Sequence, residues 1–577
     1  MTNIVAPRRP VATPTAATTG TAPNPGTGIA SKASPATTAA PVSASAATDA
    51  MASGPLRQAF DASSARSVST TSARVEPDNM GAWNARWDML SGATKRIDTT
   101  YFTIDNDAFG MAFVGHLLKK QRAGVPVRLM FDGMADAPGK SFKLSSRECL
   151  NQLVRDGGEV RVYSPVHTRL PHLGGAGGYA QNHDKILVVD GERGITGGRN
   201  IGGAYFSDPT DVPTAWRDTD VVIDGAGAAS GLLAAIDAEW NGVANPVGEG
   251  IWQESKEVEL IGAYLLMDLW LNDPALSPAK KTALRGSDTA RDRLAQSLVQ
   301  RAVARLPAEG VTRTPDTYEY KSLDELAHQL VDNLELCGSH GRAATMPTRQ
   351  GVETHIIDRT SARVASHDDF AQALIATADN AQTRLLLQNP YVVLTKQMLD
   401  ALERAAKRGV KITIVTNSPK STDSALTQTY FLRDWPEVLA RLPNAQLFVF
   451  GGERKMHAKV AVADDDVSLV STYNLDLLSS QINGEVGSLM WSRDVASDVA
   501  QSITNDLKDP RNVVVEYTIQ RDVDGKAMLM DGKPIVVQGP ASHVDAGTMR
   551  NYQWAGGVAD LARRFIPGLG DMQHNKE

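Results

Sequence analysis

The sequence predicts an α/β protein with two duplicated domains, each a mixed β-sheet flanked by helices, packed together as a pseudo-dimer. Three observations lead to this prediction. The chain has 577 residues, which exceeds the roughly 100–200 residues of a usual domain. A helix–Gly–strand pattern occurs once in each half, and the same set of polar residues follows it both times. Repeats this long indicate duplicated domains, because the repeats of a solenoid are much shorter.

The composition narrows the classes of protein that fit. The net charge of −7 argues against broad electrostatic binding of nucleic acid, so no nucleic-acid partner is expected. Cys149 and Cys337 form no CxxC pair and are predicted to be small core residues. No stretch approaches the roughly 20 apolar residues that cross a bilayer. The N-terminus also lacks the apolar core of a cleavable signal peptide.

Residues 1–75 are rich in Ala, Thr, Ser, Pro and Gly and contain almost no large apolar side chains. Such a segment buries too little surface to offset the entropy lost on ordering, so we predict that it is disordered. A tether is the preferred interpretation. The alternative is an uncleaved export signal, because bacterial secreted effectors often begin with such acid-poor leaders.

The first domain is predicted to span residues 76–245. Residues 98–103 read as a strand, and residues 112–121 read as a helix that ends near Gly124. Apolar side chains then alternate over residues 125–131, as in a strand with one buried face.

The second domain is predicted to span residues 351–506 and repeats this order. Residues 384–387 form a strand, residues 397–407 form a helix stopped by Gly409, and residues 410–414 form the next strand. The two helix–Gly–strand segments read LKKQRAGVPVRLMFD and LERAAKRGVKITIVTN.

Two further regions complete the chain. Residues 246–350 are charge-rich and predicted to be a helical insertion or connector, with its clearest helix at 289–305. Residues 507–577 are predicted to form C-terminal strands and a short amphipathic segment at 558–566. That segment is interpreted as a packed terminal helix, with membrane docking as the alternative.

Each half contains the same set of chemically capable residues at the same spacing. The set comprises His183, Lys185, Asp190 and Asn200 in the first half and His457, Lys459, Asp464 and Asn474 in the second. Residues two apart on a strand share a face, so each histidine and its lysine project from the same side. The two sets together would surround one anionic centre, as a phosphodiester requires. Asp190 and Asp464 have the opposite parity at the strand ends and are interpreted as structural.

The two copies of HxKxxxxD followed by GSxN-like turns resemble the phospholipase D superfamily. Within it, the chain is most similar to bacterial cardiolipin synthases that lack transmembrane helices, over residues 79–244 and 358–493. The resemblance implies that one histidine attacks phosphorus to give a phosphohistidine while the other protonates the departing alcohol. It favours His183 as the nucleophile, although the near-symmetrical motifs alone leave the order open. No metal or other cofactor is implied.

The resemblance also implies an orienting carboxylate for each histidine. The candidates are Asp218, within WRDTD, and Glu485, within INGEVG. We expect crossed pairing, with Glu485 bound to His183 and Asp218 bound to His457.

The expected partners are a phospholipid at a membrane surface and an acceptor, either water or an alcohol. Hydrolysis would give phosphatidic acid, and transfer would give a product such as cardiolipin. Leu478 stands where the family commonly has arginine, which weakens the case for cardiolipin formation. Two alternatives stay open: a metal-independent nuclease of the same superfamily, and a catalytically silent membrane-binding protein.

Overall fold

The computed structural model of the protein describes residues 54–133, 147–165, 168, 172, 176–247 and 255–563. Within these ranges, residues 147, 148, 176, 553 and 557–563 are described by their backbone alone.

The first described elements are helix α1 (Pro55–Asp61) and strand β1 (Ser67–Glu76). The prediction of disorder up to residue 75 is therefore wrong for its last part, and residues 1–53 lie outside the described residues. Leu56 and Phe60 are buried, and β1 pairs with one strand from each half of the chain. Contacts with these strands, which are distant in the sequence, bury the surface of this segment that its own composition could not bury.

The first half has the predicted order of strand, helix and strand. Its elements are α2 (Asn79–Gly92), β2 (Ile97–Tyr101), α3 (Ala108–Arg122), β3 (Val127–Asp132), α4 (Arg147–Arg155), β4 (Glu159–Tyr163), β5 (Ile186–Val189), β6 (Arg193–Gly197), α5 (Gly203–Phe206), β7 (Asp220–Asp224), α6 (Ala226–Gly242) and β8 (Ala244–Pro246). Helix α3 begins four residues earlier than predicted because the Asp107 carboxylate accepts hydrogen bonds from the Phe109 and Gly110 N–H groups.

The region between the halves is helical, as predicted. It contains α7 (Glu257–Asn272), α8 (Pro278–Arg285), α9 (Asp288–Arg305) and α10 (Thr317–Val331). Helix α7 lies against α3 so closely that a Cβ on Gly115 would come 2.1 Å from the carbonyl oxygen of Leu260. The connector therefore forms part of the first half's core.

The second half repeats the first and then adds the C-terminal elements. These are β9 (Arg349–Arg359), α11 (Phe370–Asn380), β10 (Arg384–Gln388), α12 (Lys396–Lys407), β11 (Lys411–Asn417), α13 (Ala425–Arg441), β12 (Ala445–Phe450), β13 (Val460–Ala463), β14 (Val467–Ser471), α14 (Leu477–Gln481), β15 (Glu485–Trp491), α15 (Arg493–Lys508), β16 (Val514–Ile519), β17 (Leu529–Met530), β18 (Lys533–Pro534), β19 (Val536–Gln538) and α16 (Ala546–Arg563). Gly124 and Gly409 follow α3 and α12 with φ of 84° and 90°, as glycines that end helices do.

The strand pairings confirm the predicted duplication. The strands follow one another in the order β8-β4-β3-β2-β5-β6-β7-β1 in the first half and β16-β12-β11-β10-β13-β14-β15-β9 in the second. The antiparallel pair β1 and β9 joins the two series. The first repeat therefore begins at β1 rather than at residue 76, because β1 is the counterpart of β9.

The remaining predictions concern single features. Both cysteines are buried and free, as predicted. The predicted amphipathic segment at 558–566 falls on the end of α16, where side chains are not described, and on residues outside the described part. Among the described residues, no helix combines the length and the apolar character needed to cross a membrane.

Candidate active site

Each motif histidine is held in place by the backbone of the other half. The His183 N–H donates to the Gly484 carbonyl at 3.0 Å, and the His457 N–H donates to the Arg217 carbonyl at 2.7 Å. Isolated bridges at Asn182 and Arg217 reinforce these contacts. The segment before β5 therefore meets the start of β15, and the segment before β13 meets the chain leading to β7.

The carboxylates cross between the halves in the same way. His183 Nδ1 lies 3.0 Å from each carboxylate oxygen of Glu485, and His457 Nδ1 lies 2.7 Å from Asp218 Oδ2. This is the crossed arrangement that the sequence predicts. Because each Nδ1 is hydrogen-bonded to a carboxylate, the other ring nitrogen, Nε2, is the one left to react.

Additional donors fix the two carboxylates. Glu485 accepts hydrogen bonds from the Thr472 and Ser479 hydroxyls, and Asp218 accepts one from the Thr219 N–H at 2.7 Å. Both carboxylates are fully buried. Neither of the two hydroxyl residues was identified from the sequence, although Thr472 lies in the turn of the second motif and Ser479 lies between Asn474 and Glu485.

The two motif lysines are buried beside their histidines. Lys185 Nζ donates to the His183 carbonyl at 2.7 Å, and Lys459 Nζ donates to the His457 carbonyl at 2.6 Å. Lys459 Nζ also lies 3.0 Å from both ring nitrogens of His457. An ammonium has three donors, so a backbone carbonyl alone does not satisfy it. Such buried ammonium groups suit an anionic ligand.

The two motif asparagines are held differently. Asn200 Nδ2 donates to the Tyr205 hydroxyl at 2.9 Å, and its Oδ1 accepts from the Thr103 N–H at 3.2 Å. The Asn474 N–H donates to Ser479 Oγ at 3.2 Å, while its buried Oδ1 accepts no hydrogen bond from the described residues.

Asp190 and Asp464 occupy matching places in the two motifs and make matching contacts. Both are in left-handed backbone conformation at the ends of β5 and β13, with φ of 58° and 50°. Their carboxylates accept backbone N–H groups at the starts of β2 and β10, from Thr94, Lys95 and Arg96 and from Gln382, Thr383 and Arg384. They tie strand ends together, as the structural interpretation of their parity predicted.

Burial and like charges dominate the electrostatics of the histidines. Burial lowers the pKa of His183 well below its usual value, and Lys185, Lys459 and His457 lower it further. The charges of both lysines and of His457 thus act on His183. The pKa of His457 is also lowered, by burial and Lys459, although Asp218 opposes the shift.

The remaining charged groups differ between the two sides. Burial raises the pKa of Glu485 to about 7, with Lys185 opposing it. Burial would also raise the pKa of Asp218, but His457 and Lys459 outweigh it and lower that pKa. Burial lowers the pKa of Lys185 to about 7 and that of Lys459 to about 8. A bound phosphodiester anion would favour the charged form of both lysines.

Aromatic rings pack against both imidazoles. The ring centroid of Phe102 lies 5.4 Å from that of His183, and those of Tyr205 and Trp216 lie 5.5 and 5.2 Å from that of His457. Neither Tyr205 nor Trp216 was assigned to the site from the sequence, although Trp216 begins the WRDTD segment that contains Asp218. These rings contact the imidazoles from the side and contribute to holding them in their orientations.

Comparisons with known proteins agree with this geometry. The family described as "Cardiolipin synthase, PLD-like domain" matches residues 87–240 and 374–507. A cardiolipin synthase of Geobacillus sp. (strain WCH70) is 24% identical over 456 residues, which cover 78% of this chain and 69% of that protein. The major cardiolipin synthase ClsA of Bacillus subtilis (strain 168) is 21% identical, covering 75% of this chain and 68% of its own length.

A solved structure shares the fold. The phosphatidylserine synthase of Haemophilus influenzae Rd KW20 superposes with a TM-score of 0.54 at 12% identity, covering 89% of this chain and 99% of that one. Its likeness spans both halves and the junction between them. The family match in both halves and the cardiolipin synthase relatives show that the chain belongs to the phospholipase D superfamily and is a cardiolipin-synthase-like enzyme.

Proposed function

We propose that the protein cleaves or transfers phosphatidyl groups of phospholipids through a phosphohistidine intermediate. One observation carries the proposal: each of two buried histidines has its Nδ1 on a carboxylate of the opposite half and a buried lysine beside it. The relatives named cardiolipin synthases support the phospholipid as the substrate class.

In the proposed first step, His183 Nε2 attacks phosphorus. The nitrogen–phosphorus bond forms, the bond from phosphorus to the headgroup oxygen breaks, and His457 gives its proton to that oxygen. Lys185, Lys459 and the amide of Asn200 stabilise charge on the nonbridging oxygens.

Two features support this order of roles. The lowered pKa of His183 favours the neutral ring, the form in which an imidazole attacks phosphorus. Asp218 has a lowered pKa and stays ionised, so it stabilises an imidazolium at His457. In the second step, His457 removes a proton from water or an alcohol, whose oxygen displaces His183 from phosphorus. Water yields phosphatidic acid, and the hydroxyl of phosphatidylglycerol yields cardiolipin.

The test is mass spectrometry of products from mixed phospholipid vesicles incubated with the wild type, His183→Ala and His457→Ala. We expect phosphatidic acid or cardiolipin from the wild type and neither from the two variants. His328→Ala is the matched control, because this half-exposed histidine lies on α10, outside the candidate site. EDTA should leave turnover unchanged, since the lysines supply the positive charge.

Two outcomes would reject the proposal. One is no lipid turnover by the wild type, and the other is equal turnover in all variants. DNA degradation in EDTA, weakened steeply by salt, would indicate the nuclease instead.

A further inference from the structure

Arg217 joins the first half of the chain to the segment that carries His457. Its carbonyl accepts the His457 N–H at 2.7 Å, and its N–H donates to the Lys455 carbonyl at 2.8 Å. These two hydrogen bonds place Arg217 opposite Met456. Arg217 also directly precedes Asp218, whose carboxylate binds Nδ1 of His457. A shift of this residue would therefore move both the backbone and the carboxylate that hold the His457 ring.

The side chain of Arg217 is buried and is bound to helix α15 of the second half. Its Nε donates to Asp506 Oδ1 at 2.5 Å, and its Nη2 donates to the Ser502 hydroxyl. Its Nη1 donates to the Asp218 carbonyl and to the Thr219 hydroxyl. Because the guanidinium is planar and rigid, these donors fix the WRDTD backbone and attach it to α15 in one geometry.

Asp506 is itself held from two further sides. Its Oδ2 accepts from the side-chain amide of Gln388, at the end of β10, at 2.8 Å. Its carbonyl accepts from the side-chain amide of Asn512 at 2.7 Å. The side chains of Arg217 and Asp506 are only 6% and 7% exposed. Separating the two would leave an unpaired charge in the interior, so the ion pair holds a defined geometry.

The matching place beside His183 is built differently. Gly484 takes the position of Arg217, because its carbonyl accepts the His183 N–H and it directly precedes Glu485. Gly484 has no side chain, and a Cβ there would lie 3.1 Å from Glu239 Oε1. The His183 side therefore has no guanidinium at this position.

Glu239, on helix α6, is the counterpart of Asp506. Each follows the imidazole-binding carboxylate of its own half by 21 residues. Glu239 accepts hydrogen bonds from the Ser361 N–H and hydroxyl at 2.6 and 2.9 Å, and burial raises its pKa to about 7. The two matched places thus differ in charge, since one contains an ion pair and the other a glutamate held by neutral donors.

We propose that the Arg217–Asp506 ion pair positions His457 for proton transfer, and that His183 works without an equivalent pair. This inference rests on the proposed function, in which His457 protonates the departing alcohol. A proton donor must lie within hydrogen-bond reach of the leaving oxygen, and misplacement by about 1 Å can lower a rate about 10²-fold. Arg217 acts in this scheme through the backbone and the carboxylate that hold the ring, so it is a positioning residue.

The test separates the step that needs the proton from the step that does not. Arg217→Gln should lower kcat for dioleoyl-phosphatidylglycerol about 30-fold or more, while KM changes less than about twofold. Phosphatidyl-p-nitrophenol has a leaving group that needs no proton. With this substrate Arg217→Gln should still release a burst of about one equivalent of p-nitrophenol, at a rate within about threefold of the wild type.

Two further variants control for a general effect on folding. Arg349→Gln is the matched control, because Arg349 also binds helix α15, through two hydrogen bonds of 2.8 Å to Asp498, eight residues before Asp506. It should change kcat and the burst less than about twofold. Arg217→Lys keeps the charge but not the forked donors, so its kcat should lie between those of the wild type and Arg217→Gln.

A spectroscopic measurement reports the position of His457 without turnover. In protein with ¹⁵N-labelled histidine, the Nδ1–H that binds Asp218 gives a proton resonance, which is assigned by its absence in His457→Ala. This resonance should shift or disappear in Arg217→Gln, because the carboxylate and the ring are no longer held together in the same geometry. It should stay unchanged in Arg349→Gln.

The outcomes separate the two proposals. An unchanged kcat in Arg217→Gln, an equal fall of turnover and burst, or an equal loss in Arg349→Gln would overturn the positioning role and leave the proposed function intact. If the wild type turned over no lipid, the proposed function would fail. The His457 resonance would then still decide the positioning role, which an unaltered signal in Arg217→Gln would overturn and a changed signal would support.

Discussion

The two halves share strand order and motif, but they differ at the residue just before the motif asparagine. In the first half this residue is Arg199, which is fully buried. Its guanidinium forms an ion pair with Asp220 at 3.2 Å and donates to four backbone carbonyls, those of Glu76, Pro77, Tyr205 and Asp218. Arg199 therefore ties the end of β1 and the chain before β7 to the first motif.

In the second half the same position holds Tyr473, whose ring stacks on Phe370 and lines a cavity between α11 and α12. The comparison teaches that duplication preserved the histidine, lysine and asparagine of each motif but not the contacts that support them. A polar network holds the first motif, and an aromatic stack beside a cavity holds the second. The two carboxylates differ as well, since Glu485 has a raised pKa and Asp218 a lowered one.

The largest expected effect tests whether the two histidines have different roles. His183→Ala and His457→Ala should each lower steady-state turnover of a natural phospholipid by about 10⁴-fold or more. With phosphatidyl-p-nitrophenol, whose leaving group needs no proton, His457→Ala should still release a burst of about one equivalent of p-nitrophenol. His183→Ala should release none. A burst from His183→Ala alone would reverse the assigned roles.

The next effect compares Arg199 with Tyr473. Arg199→Leu should lower the free energy of unfolding by about 3–5 kcal/mol, because it removes one partner of a buried ion pair and several hydrogen bonds. Tyr473→Phe should cost less than about 1 kcal/mol, because the stacked ring remains. Urea denaturation measures both. Similar losses would show that the two positions support their halves alike.

The third effect follows from the raised pKa of Glu485. Its folded-state pKa of about 7 exceeds the ordinary 4.5, so its contribution to stability is complete below about pH 4.5 and is lost as pH rises through 7. The difference in the free energy of unfolding between the wild type and Glu485→Gln should therefore decrease by about 3 kcal/mol as the pH rises from about 4.5 to about 7. Denaturation at several pH values measures the difference. The pKa of the Asp218 carboxyl is lowered instead. The free energy of unfolding of the wild type relative to Asp218→Asn should therefore rise with pH, and it should do so at lower pH values.

The smallest effect concerns a pair in which the halves behave alike. Asp190→Asn and Asp464→Asn should each cost about 1–2 kcal/mol of stability, because an amide oxygen replaces a carboxylate that accepts several backbone N–H groups. Asparagine tolerates the left-handed backbone there. Turnover should change less than about twofold. A large loss of kcat in a variant that remains folded would return these residues to the catalytic set.

Motif spacing carried much of what the sequence could predict. The family resemblance carried by the motifs implied an orienting carboxylate for each histidine and led to the expected crossed pairing of Glu485 with His183 and of Asp218 with His457, and the structure has these hydrogen bonds. The repeated helix–Gly–strand pattern likewise predicted the duplicated fold. The catalytic roles of these residues remain predictions.

Features that depend on distant partners could not be read from local patterns. Helix α1 was assigned to a disordered leader, yet Arg57 binds Glu353 and Phe60 packs on His355 at 4.2 Å. These contacts join residues nearly 300 positions apart. The environments of Arg199 and Tyr473 were hidden for the same reason, since each occupies a variable position of the motif.

The junction of β1 with β7 and β9 has a consequence for any attempt to cut the chain in two. A fragment ending before β9 would expose a bare strand edge, and its only motif imidazole would lack the Glu485 carboxylate. The complementary fragment would leave His457 without Asp218. Each fragment alone should therefore be inactive, and lipid turnover should return only when the two fragments reassemble. The contacts across this junction would also keep an incompletely synthesised chain inactive.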